Sequence, residues 1–256
     1  MTPITDPNIS ILIIDNASID GSVEDFEELF PEIEILKLKK NYGFSGGMNR
    51  GLDHIKKDAP DFVIFMNNDI VVSHSFYDEL IKGIEVKGNN NIFSPVICYH
   101  SNKNKIWYIG GFIRLWYGRV CHLSIRKKLN KIKIDNFQLT DYITGCCMLI
   151  SFRLVNELNG FDENFNMYSE DVDLCLRARK MGSKCYVVKK SKILHKVSSS
   201  IGGNYSYKKN IRKLLSTYRL ISIHSNVISK LTGKIGLLFI MFFSVPKLIF
   251  HQIFNK

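Results

Sequence analysis

Residues 184–256 contain no Asp or Glu at all. A stretch without acids cannot neutralise its own Lys and Arg, so it points to an anionic partner rather than a self-compensated surface. None of the six cysteines, at 98, 121, 146, 147, 175 and 185, forms a C-x-x-C pair, which removes the common zinc and dithiol readings. Cys146 and Cys147 are adjacent and poorly placed to bridge each other. Neither a basic start nor an apolar leader opens the chain, so reduced, mostly buried thiols in a cytosolic protein are expected. The glycine-rich stretch "NYGFSGGMNRG" ends in no G-K-[ST] and contains no G-x-G-x-x-G, so neither nucleotide fingerprint is present. The apolar run at 235–246 is a dozen positions, short of the roughly 20 that span a bilayer. Internal repeats and low-complexity tracts are missing too. No nucleic-acid recognition motif accompanies the positive charge, and the basic residues lie mostly beside the apolar tail, so nucleic acid is not expected as a partner.

What is there is an ordinary globular composition. The chain has 256 residues, 45% hydrophobic and 23% charged, with 35 basic and 24 acidic side chains for a net charge of +11. That is enough for one large domain or two small ones, with a core that needs no disulfides.

An apolar run, Ile11-Leu12-Ile13-Ile14, ends in Asp15, the pattern of a buried strand that turns polar where it emerges. A short helix is expected at 22–30, with Phe26, Leu29 and Phe30 inward, and an edge strand at 33–38. Residues 41–51 read as a glycine-rich loop entering a helix that ends near Lys57. A second apolar strand, 62–66, ends in Asn67-Asn68-Asp69, and a helix follows at about 75–87. This alternation is the α/β signature, with a mostly parallel sheet. From about 92 to 145 the texture is aromatic and short-stranded, an irregular and partly antiparallel insertion. A strand at 146–153, a helix at 169–182 and a last strand within 184–196 follow. Residues 205–224 read as a basic amphipathic helix. The 235–246 run, interrupted by Pro246 and Lys247, reads as an interfacial helix beside Lys208, Lys209, Arg212, Lys213, Arg219, Lys230 and Lys234, or as a C-terminal core helix.

Three places carry chemistry-bearing side chains. Asp15 and Asp69 both end apolar strands, on the rim of the sheet where ligands bind in open α/β folds. A carboxylate there is a natural Mg²⁺ or Mn²⁺ ligand shared with substrate phosphates. In "GFDENFNMYSEDVDLCLRARKMG", Ser169 is placed to cap a helix whose first turn holds Glu170, Asp171 and Asp173, an arrangement the helix dipole alone would favour. A second acidic pair, Asp162-Glu163, lies just upstream in a basic protein, and a carboxylate at a helix start can face a cleft as general base. His195 follows a short apolar stretch and could join oxygen ligands around a divalent metal. Glycines 43, 46, 47 and 51 could let the backbone approach a nucleotide.

Taken in order, "IIDNASIDGS", "NYGFSGGMNRG", "FMNNDIVV", "TGCCMLISFRLVNELNGFDENFNMYSEDVDLCLRARKMG" and "ILH" resemble glycosyltransferase family 2, in its rhamnosyltransferase-like branch with a GT-A fold. The resemblance covers about residues 9–200. It implies a sugar moved from a dTDP-, UDP- or GDP-linked donor to a glycan or lipid-linked acceptor hydroxyl, with inversion, in cell-surface polysaccharide or glycolipid synthesis. On that resemblance Asp15 reads the base, and Asn41, Gly47, Asn49, Asn67 and Asp69 belong to the donor site. Asp69 and His195 hold Mg²⁺ or Mn²⁺, and Asp171 is the catalytic base. Gly111, Thr144, Gly145 and Glu170 lie on the acceptor side. A GT-A domain over 1–204 and a basic, apolar helical tail over 205–256 are implied, the tail on an anionic surface at the inner face of the cell membrane.

Members of the family begin with a strand and a helix that "MTPITDPN" does not supply. The strand normally lies between those that carry Asp15 and Asp69. Two consequences are expected: direct pairing of strands 11–15 and 62–66, or poor solubility of the chain alone. A degenerate, inactive transferase-like domain that binds a membrane or partner is the alternative function.

Overall fold

In this computed structural model the described residues are 8–165, 167–197 and 207–254, side chains excepted at 207, 208 and from 243 onward. The opening residues 1–7, and the side chains of Lys208, Pro246 and Lys247, therefore lie outside the description.

Strand β1 (Leu12–Asp15) runs parallel to β2 (Glu34–Lys37), with Leu12 opposite Glu34 and Asp15 opposite Lys37. Helix α1 (Ser22–Leu29) makes the crossover. Its apolar side is only partly inward: Phe26 and Phe30 are half-buried against each other, while Leu29 is 71% exposed. Helix α2 (Gly43–His54) begins inside the glycine-rich stretch, so those glycines are helical rather than a loop. A 3-10 turn, Ile55–Asp58, extends it, and Gly51 lets it close on β1, because a Cβ there would overlap the Ile14 side chain.

The main sheet holds β3 (Phe62–Met66), β4 (Ile70–Val72), β5 (Ile92–Tyr99), β10 (Cys147–Ser151) and β11 (Cys185–His195) in the order β3-β10-β5-β11-β4. Strand β6 (Asn102–Tyr108) adds to β5, and β9 (Phe137–Thr140) adds to β11. The pairing is mixed. β5 and β11 are parallel, while β10 is antiparallel to both β3 and β5. Strand β5 belongs to this core, not to the insertion, and Ile92 through Cys98 are buried. The insertion proper is β6, the hairpin of β7 (Gly111–Arg114) and β8 (Arg119–His122), and β9.

β1 and β3 do not pair. Among the described residues β1 bonds only to β2, and β3 only to β10, so the expected direct pairing is absent and each strand keeps an open edge. Side chains join the two pieces instead: Phe44 of α2 meets Phe161, and Phe161 meets Phe65 of β3, both edge-on.

Helices α3 (Phe76–Lys87), α4 (Phe152–Glu157) and α5 (Glu170–Lys180) cover the sheet. Helices α6 (Tyr207–His224) and α7 (Val227–Phe254) follow. α6 is tied into the domain, since Leu220 and Ile221 are fully buried. All six cysteines are free thiols, five of them buried. Among the described residues no helix is long and apolar enough to cross a membrane.

Candidate active site

The turn Thr144-Gly145-Cys146, just before β10, is the hub. Asn67 N–H, at the end of β3, donates to the Cys146 carbonyl at 3.0 Å. On the other side Gly145 N–H donates to Asp171 Oδ2 at 2.8 Å. Gly145 leaves room for this: a Cβ there would press on Phe44 and approach Asp171. Burial pushes the Cys146 thiol far up, and the charges of Asp69 and Asp171 add to it, so both carboxylates are felt at this one turn.

Asp69 and His195 meet through strand pairing. Ile70, the next residue after Asp69, is opposite His195 in the β4–β11 ladder, and Lys196 N–H donates to the Asp69 carbonyl at 2.8 Å. His195 Nε2 then lies 3.0 Å from Asp69 Oδ1. Burial lowers the imidazole pKa although Asp69 pulls it up, so the ring is held neutral, the form that binds metals. The Trp107 ring stands edge-on to it at 4.5 Å, and His195 Nδ1 is buried without a hydrogen-bond partner. The described residues contain no cluster of three or more metal-ligating side chains. One carboxylate and one neutral imidazole fit a hard divalent cation whose remaining ligands are water and phosphate oxygens.

Glu170 and Asp171 form a carboxylate pair at the start of α5. Burial raises both, Glu170 to about 8, with the Asp171 charge as its second cause. They differ in partners. Asp171 accepts from Gly145 N–H, from Val172 N–H at 2.8 Å and from the Thr144 hydroxyl, bonds that favour its ionised form. Glu170 Oε2 is buried with no partner. Of the two, Asp171 has the hydrogen bonds that stabilise a negative charge, and Glu170 Oε2 has none. Ser169 does not cap the helix: it sits at φ 69° and makes no capping hydrogen bond.

The other expected site residues fall into place less uniformly. Asp15 accepts Ser18 N–H at 3.0 Å, on the separate β1–β2 pair. Asn41 accepts Gly43 N–H at 2.9 Å, a local turn at the start of α2. Gly47 gives close passage past Asn16 and Ile14. The Asn49 amide is committed to the backbone, accepting Phe161 N–H at 2.8 Å and donating to its carbonyl at 2.9 Å. Gly111 donates its N–H to Thr140 Oγ1 at 2.7 Å and lies against the Tyr142 ring, which senses the Asp171 charge. Sequence reasoning passed over Asn16, whose side chain accepts Tyr42 N–H and donates to the Gly43 carbonyl, both at 2.8 Å. Its signal was its place directly after Asp15 at the strand end. Trp107 gave no signal, since its contact with His195 depends on the insertion folding back.

A mixed α/β sheet with a carboxylate rim, and a helix delivering a second acid, is the GT-A fold. The chain superposes on GalNAc-T7, solved with UDP, GalNAc and Mn²⁺, with a TM-score of 0.59 and 14% identity over 90% of this chain and 48% of that one. The mannosyltransferase PcManGT from Pyrobaculum calidifontis, in complex with GDP-Man and Mn²⁺, gives 0.57 at 14% identity over 94% of this chain and 64% of that one.

Residues 3–158 match Glycosyl transferase family 2, and the chain belongs to that family. Its relatives put it in the rhamnosyltransferase-like branch. Rhamnosyltransferase WbbL of Escherichia coli (strain K12) is 27% identical over 163 residues, 60% of this chain and 61% of that protein. The N-acetylglucosaminyl-diphospho-decaprenol L-rhamnosyltransferase of Mycobacterium tuberculosis is 24% identical over 217 residues, 77% of this chain and 70% of that protein. The chain thus spans less than two thirds of WbbL.

Proposed function

We propose that this protein transfers a sugar from a nucleotide-diphosphate donor to an acceptor hydroxyl, with inversion, in the synthesis of a cell-surface glycan or glycolipid. The observation that carries the reading is the shared turn: Asn67, ahead of Asp69, and Asp171 both bond to residues 145–146. One side would hold the donor and the other the acceptor.

Asp171 takes the proton from the acceptor hydroxyl as its oxygen attacks the anomeric carbon, and a carboxylate of raised pKa is the stronger base. The new carbon–oxygen bond forms as the bond to the diphosphate breaks, and its electron pair leaves with the nucleoside diphosphate. Glu170, holding its proton, donates a hydrogen bond to the acceptor and leaves the negative charge to Asp171. Asp69 and the neutral His195 would hold Mg²⁺ or Mn²⁺. A divalent ion bound there offsets the charge that builds on the diphosphate. Asp15, Asn41, Gly47, Asn49 and Asn67 complete the donor side, Asn49 and Gly47 by shaping α2. Gly111, Thr144 and Gly145 line the acceptor side. dTDP, UDP and GDP sugars are the donors to try, and a lipid-linked glycan is the acceptor class the mycobacterial relative's name suggests.

The acid-free tail would hold the enzyme on the anionic inner face of the cell membrane. Val227, Ile228, Leu231, Leu238, Phe239 and Phe242 of α7 are exposed, and Lys230 and Lys234 stand on the same helix.

One observation favours the alternative of an inactive transferase-like module: among the described residues, Asp15 sits on a two-stranded piece that does not pair with the main sheet. Calorimetric titration of UDP-, dTDP- and GDP-sugars with Mn²⁺ decides between them. Binding that needs Mn²⁺ and disappears in Asp69→Ala supports the transferase. No binding of any donor supports the module.

A further inference from the structure

The backbone that delivers the carboxylate pair is strained. Met167, Tyr168 and Ser169, the residues immediately before Glu170, have φ of 149°, 71° and 69°. Such conformations each cost on the order of 1–3 kcal/mol in non-glycine residues and persist only where surrounding structure enforces them.

The enforcing contacts differ along the loop. Its first part is gripped by α2, through Asn49 on Phe161 and Arg50 on Glu163 at 3.2 Å. Arg177 of α5 adds hydrogen bonds to the Leu158 and Gly160 carbonyls. Helix α6 grips both that first part, at Asp162 and Phe165, and the part next to Glu170, at Met167 and Tyr168. Ser216 Oγ donates to the Met167 carbonyl at 2.9 Å. Arg219 Nη2 lies 2.7 Å from Asp162 Oδ2, and its guanidinium stacks over the Phe165 ring at 5.1 Å. Lys213 lies over the Tyr168 ring. One turn further on, His224 Nε2 is 2.7 Å from Asp173 Oδ1, both side chains only 2% exposed, and Asp173 Oδ2 accepts Arg177 Nε at 2.8 Å. Residues 213, 216, 219 and 224 fall on one broad face of the helix, so that face of α6 lies along loop and helix together.

The geometry points to α6 as a splint for the base: Ser216, Arg219 and His224 are positioning residues that hold the 167–169 turn and the start of α5, and so fix the Asp171 carboxylate against Gly145. This rests on the reading of Asp171 as the base. It ties the basic tail to the position of the base, because α7 follows α6 after two residues.

The test uses hydrogen exchange by mass spectrometry on the full chain, which needs no substrate. Ser216→Ala with Arg219→Leu is the main variant. Ser216→Ala alone, which deletes one hydroxyl, serves if the pair does not fold. Expected is about tenfold faster exchange in peptides covering 141–147 and 165–172, as lost hydrogen bonds next to them imply, with β5 and β10 unchanged. Asn49→Ala should leave the 165–172 rate as it was. Unchanged exchange at 165–172, or an equal rise across the whole chain, overturns the proposal. Where transfer is measured, the acid limb of the kcat–pH profile should shift in the Ser216 and Arg219 variants and return with Arg219→Lys, while KM for the donor holds. If Asp171→Asn transfers sugar as well as the parent chain, the base assignment falls. The exchange result then still decides whether α6 holds the turn.

Discussion

Nε2 of His195 stands 3.0 Å from Oδ1 of Asp69 because strand β11 pairs antiparallel with β4, whose first residue directly follows Asp69. The ladder, not the flexibility of two side chains, sets this distance. Removing the imidazole should therefore damage the cation site without unfolding it. His195→Gln should weaken Mn²⁺-dependent donor binding by at least the roughly 10–100-fold that even outer-shell losses cost. Titration calorimetry with and without Mn²⁺ reads this. Equal binding in both proteins would remove His195 from the site.

Asp171→Asn keeps the shape but not the basicity of the side chain. Transfer should fall by about 10²–10⁴, the usual contribution of a positioned base. Donor affinity should hold, because Asn67, on the proposed donor side ahead of Asp69, bonds to the 144–146 turn at Cys146, whereas Asp171 bonds to it at Gly145. Steady-state kinetics beside donor titration separates the two effects.

Glu170 gives a pH signature of the opposite sign to most acids. Its carboxyl is raised to about 8 in the folded chain by burial and by Asp171. Between the ordinary carboxylate range and about 8 the unfolded chain has lost this proton and the folded chain keeps it. Stability from this group is therefore full at low pH and drains away as pH climbs through that window. Glu170→Gln should flatten the loss, with a higher Tm than the parent at pH 9 and little difference at pH 5. Parallel Tm–pH curves would show that Glu170 is not buried as described.

The strand ends were legible in the sequence. An apolar run that turns polar at Asp15, and again at Asn67-Asn68-Asp69, reports where a strand leaves the sheet. Strand β5 was missed because Pro95 interrupts "IFSPVICY". The structure tolerates Pro95 at the point where the β5–β11 register shifts, between Val188 and Lys192. Ser169 was read as a cap because its residue type and position fit, but the left-handed turn before α5 aims it elsewhere. Asn49 was read toward the donor, yet its amide locks a loop more than a hundred residues away. The grip of α6 on residues 162–173 has the same character: pairs such as Arg219–Asp162 and His224–Asp173 are 57 and 51 residues apart, and no local pattern announces them.

Helix α2 packs on β1 of the β1–β2 pair, and Gly51 sits directly against Ile14. A methyl at Gly51 would overlap Ile14 Cδ1 and come within 3.2 Å of its Cγ1, so the end of that side chain must turn aside. Gly51→Ala should destabilise the β1–α2 contact by about 1 kcal/mol, the low end of the overpacking penalty. Hydrogen exchange in 8–16 should rise more than in β10, which sits in the main sheet. Gly21→Ala tests the opposite case: a Cβ there meets nothing, and only its φ of 79° opposes the change, so packing around β1 should be untouched.

The last prediction concerns where the protein sits in a cell. Helix α7 exposes Leu238 at 60%, Phe239 at 61% and Phe242 at 71%, beside a chain segment with no acidic residue. Apolar side chains alone would bind any bilayer, while Lys and Arg near the surface add about 1 kcal/mol each only where lipids are anionic. Cosedimentation should therefore show binding to vesicles containing phosphatidylserine or phosphatidylglycerol, and much weaker binding to phosphatidylcholine alone. Raising salt should weaken the anionic binding as the Debye length shrinks. Changing Leu238, Phe239 and Phe242 to Ser should abolish both, whereas Lys230→Gln with Lys234→Gln should abolish only the preference for anionic lipid. Equal binding to neutral and anionic vesicles would leave the positive charge for the donor or acceptor phosphates.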